Sequence, residues 1–298
     1  MIFKFLHTMA IGDAFGMKYE FVKHDQNVTK DDFSYGPHPK YTEYNRTQYT
    51  DDTQMSLANA ELLLTFKNHL QDITQDDLIE QWLKCFKRDP RAGYSKHMYK
   101  ILSETQTVQE FRHASDPKQG VTSGGAMRAA PFGFIKDLEL VKSLTKLQAQ
   151  ATHDTPSGIT SALAVSLSVY HFRNGGTQQD LTPFLENHLG HPWNTDDNGF
   201  VDHPKNGVKI VSLAINAVIN TKTLSDLLLY AINQEAPSDA DTICAIAMAI
   251  ASNCDDITDD LPELLKTDLE QGQFGSEYLK KIDQDLNKAF PKTSIIKT

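Results

Sequence analysis

Residues 157–173, SGITSALAVSLSVYHFR, decide the fold. Small and apolar residues fill the whole helical circumference rather than one stripe, which is the mark of a buried helix. Asn174-Gly175-Gly176 ends it, as expected of residues that adopt the conformations a helix terminus needs. Working outward, 241–252 (DTICAIAMAIAS) is a second such run, rich enough in Ala for close packing at the centre of the molecule. Segments 207–219 and 223–233 read as two further helices, and 54–67 (QMSLANAELLLTFK) as another, following Thr50-Asp51-Asp52-Thr53. Residues 77–87 carry Leu78, Ile79, Trp82, Leu83 and Phe86 on one stripe after two acids. No stretch alternates with period two between turn residues, so the chain is predicted to be all-α. Segments 24–49, 112–125 and 189–206 collect Pro, Gly, Asn, Asp and aromatics and are expected to be loops. Neither a repeat nor a low-complexity linker divides the chain, which predicts one domain over 1–298.

Bulk composition narrows the function. The 298 residues carry a formal net charge of −10, which argues against nucleic acid as the main partner. No apolar run reaches the length of about 18 residues that spans a bilayer. Cys85, Cys244 and Cys254 are odd in number and form no CxxC, so neither a disulfide framework nor a zinc site is indicated. A reducing, cytoplasmic setting is expected, since the N-terminus reaches Gly12-Asp13 before any signal-peptide core.

Four clusters could carry chemistry: Gly12-Asp13-Ala14-Phe15-Gly16 with Glu20 after it; Thr50-Asp51-Asp52-Thr53; Ser123-Gly124-Gly125-Ala126-Met127-Arg128 with Thr152-His153 downstream; and Ser238-Asp239-Ala240-Asp241-Thr242. Each Asp/Thr cluster alone is explained by helix capping. Their repetition, each time before a helix with a buried composition, points instead to oxygen ligands for a hard cation. The two glycines before Ala126 would let backbone approach a ligand, or simply punctuate the chain. Arg128 reads as a partner for a phosphate or, more simply, for a buried acid, and His153 as a packing residue or a ligand contact.

Taken in order, GDAFGMKYEF (12–21), YTDDTQMSLA (49–58), SGGAMRAAPFG (123–133), TH (152–153) and SDADTICAIAMAIA (238–251) resemble the ADP-ribosylglycohydrolase family. The resemblance implies an orthogonal bundle of a dozen or so helices with a two-metal cleft at one end, holding Mg²⁺ or Mn²⁺. It implies Thr50, Asp51, Asp52, Asp239, Asp241 and Thr242 as metal ligands, and Glu20 as an acid that approaches the substrate. It places Ser123, Gly124, Gly125, Ala126 and Met127 along an ADP-ribose diphosphate, with His153 touching the ligand. Two departures stand out. The family's Gly-Asn-Gly before Ala-Met-Arg is replaced by Thr122-Ser123-Gly124-Gly125, and its Gly-Gly before the last acidic motif by Pro237-Ser238. The implied reaction is hydrolysis of the glycosidic bond between ADP-ribose and a protein side chain, arginine first, or another ADP-ribose conjugate (serine-linked, nucleobase-linked or O-acetyl-ADP-ribose). A non-catalytic ADP-ribose-binding relative is the competing reading. Either Asp52 or Glu20 would activate water or assist departure of the leaving group. The protein would act as a monomer, away from membranes.

Overall fold

The 157–173 run forms a helix over Pro156–Arg173, with Pro156 in its first turn and the Thr155 hydroxyl accepting the Gly158 N–H. The structure, a computed structural model, describes residues 5–22, 28–193, 206–234 and 239–293. Pro237, Ser238 and most of the 189–206 segment lie outside the described residues. In chain order the α-helices are α1 (Phe5–Gly16), α2 (Asp51–Thr65), α3 (Gln75–Arg88), α4 (Lys96–Glu104), α5 (Val108–Ala114), α6 (Leu138–Gln150) and α7 (Pro156–Arg173). They continue with α8 (Gln178–Leu189), α9 (Gly207–Asn220), α10 (Leu224–Ile232), α11 (Ala240–Ala251), α12 (Glu263–Thr267) and α13 (Ser276–Ala289). The described residues contain no strand; two isolated bridges, Thr122 with Asn206 and Thr223 with Thr258, are their only β-pairings. The chain is all-α. Among the described residues no helix is long and apolar enough to cross a membrane.

Each helix expected from the sequence is present within a few residues of its expected bounds. α5 runs through Ala114 and so enters the segment 112–125 expected to be a loop. The sequence does not single out α1, α4, α5, α6, α8, α12 or α13. All twelve residues of α1 are buried, so it has no polar face from which a period could be read.

α1 and α11 lie side by side at the centre, share the most extensive contact of any two elements described, and are buried along their whole lengths. They run antiparallel: Gly12 faces the Cys244 carbonyl, and Gly16 faces Ala240 and Asp241. α9 and α10 pack on α11, α2 and α13 on α1, and α6, α8 and α9 on α7. One continuous cluster of buried side chains joins them. The arrangement sets the C-terminal end of α1 beside the N-terminal end of α11, and a carboxylate of α1, Asp13, against the N-terminal end of α2. The acidic motifs sit on these ends.

Candidate active site

Thr50 and Asp239 occupy the N-cap positions of α2 and α11, yet neither makes a capping hydrogen bond with its side chain. Thr74 and Thr107, at the starts of α3 and α5, do cap, each in a reciprocal box with an acid three residues on. Capping therefore does not account for the two motifs in this chain. Their side chains are directed elsewhere. The Thr50 hydroxyl donates to Asp13 Oδ1 (2.7 Å) and the Thr53 hydroxyl to Asp13 Oδ2 (2.7 Å). The backbone N–H groups of Thr50 and Thr53 donate to the same carboxylate at 3.0 and 3.1 Å. Asp13 thus anchors the first turn of α2 from inside the core. Burial raises its pKa to about 6 against the pull of those four donors. The Gly12–Gly16 cluster by itself assigns Asp13 no role; a lone acid in a run otherwise free of charge is the signal the sequence offers.

The two acidic motifs meet. Asp51, Asp52, Asp239, Asp241, Thr242 and Glu20 line one cavity of about 340 Å³, within the range of small-molecule sites. Glu20, Asp239 and Asp241 each present a carboxylate oxygen, all within 4.8 Å of one another. Burial, then the charges of Asp13, Glu20 and Asp239, hold Asp51 well above the usual carboxylate range. Burial, then Asp51, Asp241, Asp13 and Asp239, does the same to Asp52. Asp52 is 1% exposed, and its Oδ1 has no hydrogen-bond partner. An orphaned, buried carboxylate oxygen among four other acids is costly unless a cation completes it, so the donor set fits a divalent metal. The same cavity is lined by Ser123, Gly124, Met127, Arg128, Thr152 and His153. The Ser123 hydroxyl donates to Asp239 Oδ2 (2.8 Å), joining this segment to the acidic cluster.

Thr50, Gly125 and Ala126 do not line the cavity. Thr50 faces Asp13, the Gly125 carbonyl accepts from Gln148 Nε2 (2.8 Å), and Ala126 is fully buried. Gly124 does approach something closely, but it is His153: a Cβ there would stand 2.8 Å from the imidazole Cε1. The loop before α4 was missed altogether. Its Ala92 carbonyl accepts the Asp51 N–H (3.0 Å), and Gly93 (φ 99°) leaves room where a Cβ would lie 2.0 Å from Asp51 Oδ1.

The acid expected to pair with Arg128 is not there. The guanidinium lies 4.1 Å from the centre of the Trp82 ring and donates to the Gln148 side chain (2.7 Å), the Gln148 carbonyl (3.2 Å) and the Thr152 hydroxyl (2.6 Å). Burial lowers its pKa to about 9. Thr152 Oγ1, which accepts from Arg128, also lies 2.7 Å from His153 Nδ1, and His153 Nε2 lies 3.2 Å from Thr122 Oγ1. Burial, aided by the Arg128 charge, lowers the His153 pKa to about 3. We expect its ring resonances to stay constant from pH 8 to pH 5; a midpoint near the ordinary value of about 6.5 would contradict that environment. The sign for stability follows. The unfolded chain protonates this residue below about 6.5 and the folded chain does not, so His153 removes stability as pH falls toward about 3 and contributes none above.

Similarity to known proteins now has a site to attach to. Residues 4–294 match the ADP-ribosylglycohydrolase family. The chain belongs to that family. It is 27% identical over 195 residues to human "ADP-ribosylhydrolase ARH3", covering 61% of this chain and 52% of that protein. Against the Gallus gallus protein of the same name it is 30% identical over 150 residues, 48% of this chain and 39% of that one. The chain therefore spans about half, or less, of the length of these relatives. With the "Uncharacterized protein YegU" of Escherichia coli (strain K12) it shares 22% over 262 residues, 84% and 77% of the two chains. A solved structure described as "ADP-ribosylglycohydrolase-related protein complex" superposes with a TM-score of 0.71 at 18% identity, covering 97% of this chain and 99% of that one. That likeness speaks for the fold.

Proposed function

We propose that this family member, as one domain over 1–298, is a divalent-metal-dependent hydrolase that cleaves the glycosidic bond between ADP-ribose and another group, with an ADP-ribosylated arginine as the first candidate substrate. One observation carries the reading: Asp52 Oδ1 is buried without a partner in a cavity whose wall also holds Glu20, Asp51, Asp239 and Asp241. A set of acids this crowded has no structural use without a cation, and the family supplies a reaction in which one is used. Glu20, Asp51, Asp52, Asp239 and Asp241, with Thr242 beside them, would hold up to two ions, Mg²⁺ or Mn²⁺. Bound there, the metal would supply polarisation of water and of sugar hydroxyls.

The remaining work falls to the chain. His153, lining the same cavity, offers an uncharged imidazole to the ligand. Gly124, Ser123 and Met127 shape the wall along which a diphosphate would lie, and the un-neutralised Arg128 behind them gives that wall a positive background. Asp52 or Glu20 would take a proton from the attacking water or assist the leaving group, and the surrounding carboxylates would stabilise positive charge on the ribose. Glu20, Asp52, Asp239 and Asp241 are buried, which strengthens each of those interactions.

The test is release of free ADP-ribose from arginine-, serine- and glutamate-linked conjugates and from O-acetyl-ADP-ribose, with Mg²⁺ or with EDTA. Turnover of at least one conjugate that EDTA abolishes is the expected result. ADP-ribose binding with no turnover of any of them would favour the non-catalytic reading.

A further inference from the structure

We propose that His38, which none of the sequence motifs contains, is a positioning residue that aims Glu20 into the acidic cavity. This rests on the reading of Glu20 as part of the site. His38 is 1% exposed. Its Nδ1 accepts two backbone N–H groups, from Lys40 and from Tyr41, both at 2.9 Å. An imidazole nitrogen that accepts two donors carries no proton, so the ring proton is on Nε2. Nε2 lies 2.9 Å from Glu20 Oε2 and donates to it. The contact is therefore a hydrogen bond from a ring locked in one tautomer rather than an ion pair. The rings of Phe21, Tyr41 and Tyr44, with centroids 6.0, 4.9 and 5.5 Å away, enclose the imidazole and fix its plane.

Glu20 needs such a holder. It follows the single 3₁₀ turn Met17–Tyr19 that continues α1, and it precedes Phe21, which sits at φ 60°, a conformation uncommon for a residue with a large side chain. One of its oxygens lies within 4.8 Å of oxygens of Asp239 and Asp241, whose charges oppose its own. The Nε2–H donor on Oε2 offsets that repulsion and fixes the direction of the carboxylate. Carboxylates that serve metal sites are commonly held by outer hydrogen bonds of this kind, and loss of one typically costs about 10- to 100-fold in metal affinity.

Two substitutions separate this role from a merely structural one. In His38→Asn the carboxamide oxygen can still accept from residues 40 and 41, as an Asx-type turn does, while the donor to Glu20 is lost. In His38→Gln the amide nitrogen reaches the former Nε2 position and restores that donor at the expense of the turn. Mn²⁺ binding, followed by electron paramagnetic resonance, is expected to weaken about 10- to 100-fold in His38→Asn, with an unchanged melting temperature, and by no more than a few-fold in His38→Gln. In the metal-free wild-type protein, ¹⁵N spectra are expected to show the His38 proton on Nε2; this measurement needs no variant. Wild-type Mn²⁺ affinity in His38→Asn, an equal loss in both variants, or a proton on Nδ1 would each overturn the assignment. A wild-type protein that releases no ADP-ribose from any conjugate would refute the hydrolase reading while leaving these measurements interpretable.

Discussion

Replacing Asp52 by Asn is expected to stop ADP-ribose release while making the metal-free protein more resistant to heat. The two effects have one cause. Asp52 is buried beside Asp51, Asp241, Asp13 and Asp239, and burial followed by those charges raises its pKa well above the usual 3.8. The folded chain then binds a proton that the unfolded chain has released, so stability falls as pH rises through that window. At neutral pH, with metal chelated, an uncharged amide removes the repulsion, and the melting temperature should rise by a few degrees. The gain should shrink as pH approaches 4, where the unfolded chain also keeps its proton. Activity moves the other way. A carboxylate that binds metal or moves a proton in the transition state contributes several kcal/mol there, which is about a thousandfold in rate. Added Mg²⁺ should stabilise the wild type more than the variant, since only the wild type has the full ligand set. A metal-free variant that melts at or below the wild type would show that Asp52 is not under repulsion. Turnover above a tenth of wild type would remove it from the machinery.

The fold was legible at its long buried helices and clearest stripe, while α4 and α6, capped by Ser95 and Asp137, were not singled out. Asp51–Thr65 and Gln75–Arg88 begin at Thr and acid signals and Pro156–Arg173 at Thr-Pro, and Gln75–Arg88 carries an apolar stripe. α13 carries a similar stripe at Leu279, Ile282 and Leu286, so the same rule reaches it. α1 offers neither stripe nor cap, because it is enclosed on every side. The acidic motifs were legible because carboxylates grouped beside buried helices are chemically expensive. The partners that aim them were not. Asp13 contacts Thr50 across 37 positions, and Ser123 contacts Asp239 across 116. His38 lies among loop residues with no local pattern, and its Nδ1 serves an ordinary turn. Such pairings are set by how helices pack, and a linear pattern does not record them. Gly124 lines the cavity and also stands against His153, a close approach that the linear pattern does not record.

Gly16→Ala is expected to damage the site more than any surface substitution, although Ala is the better helix former. Gly16 has ordinary right-handed helical angles, φ −65° and ψ −31°, so its conformation does not require glycine. Propensity alone would favour the change by roughly 0.5–1 kcal/mol. Sterics oppose it. A Cβ at this position would stand 2.6 Å from the Ala240 carbonyl oxygen and 2.6 Å from Asp241 Cα, both backbone atoms. Neither can rotate away, so α1 and α11 must separate, and overpacking of this kind costs about 1–3 kcal/mol. The steric term exceeds the propensity term, and a net loss of melting temperature is predicted. The larger consequence is positional. The displaced backbone belongs to Asp241, and the displacing helix leads through Met17–Tyr19 into Glu20, so two of the three carboxylates that cluster within 4.8 Å move apart. A misplacement of about 1 Å at reacting groups can cost about a hundredfold in rate, more than the stability change alone would suggest. Gly272→Ala is the matched control, since Gly272 is exposed and its Cβ would meet nothing within 4 Å. If Gly16→Ala matches that control in melting temperature, Mn²⁺ affinity and turnover, then the close approach of α1 to α11 does not set the position of Asp241. If instead Mn²⁺ affinity and turnover collapse while most of the helix content survives, the geometry of the acidic centre is fixed by the closeness of two glycine- and alanine-lined helices.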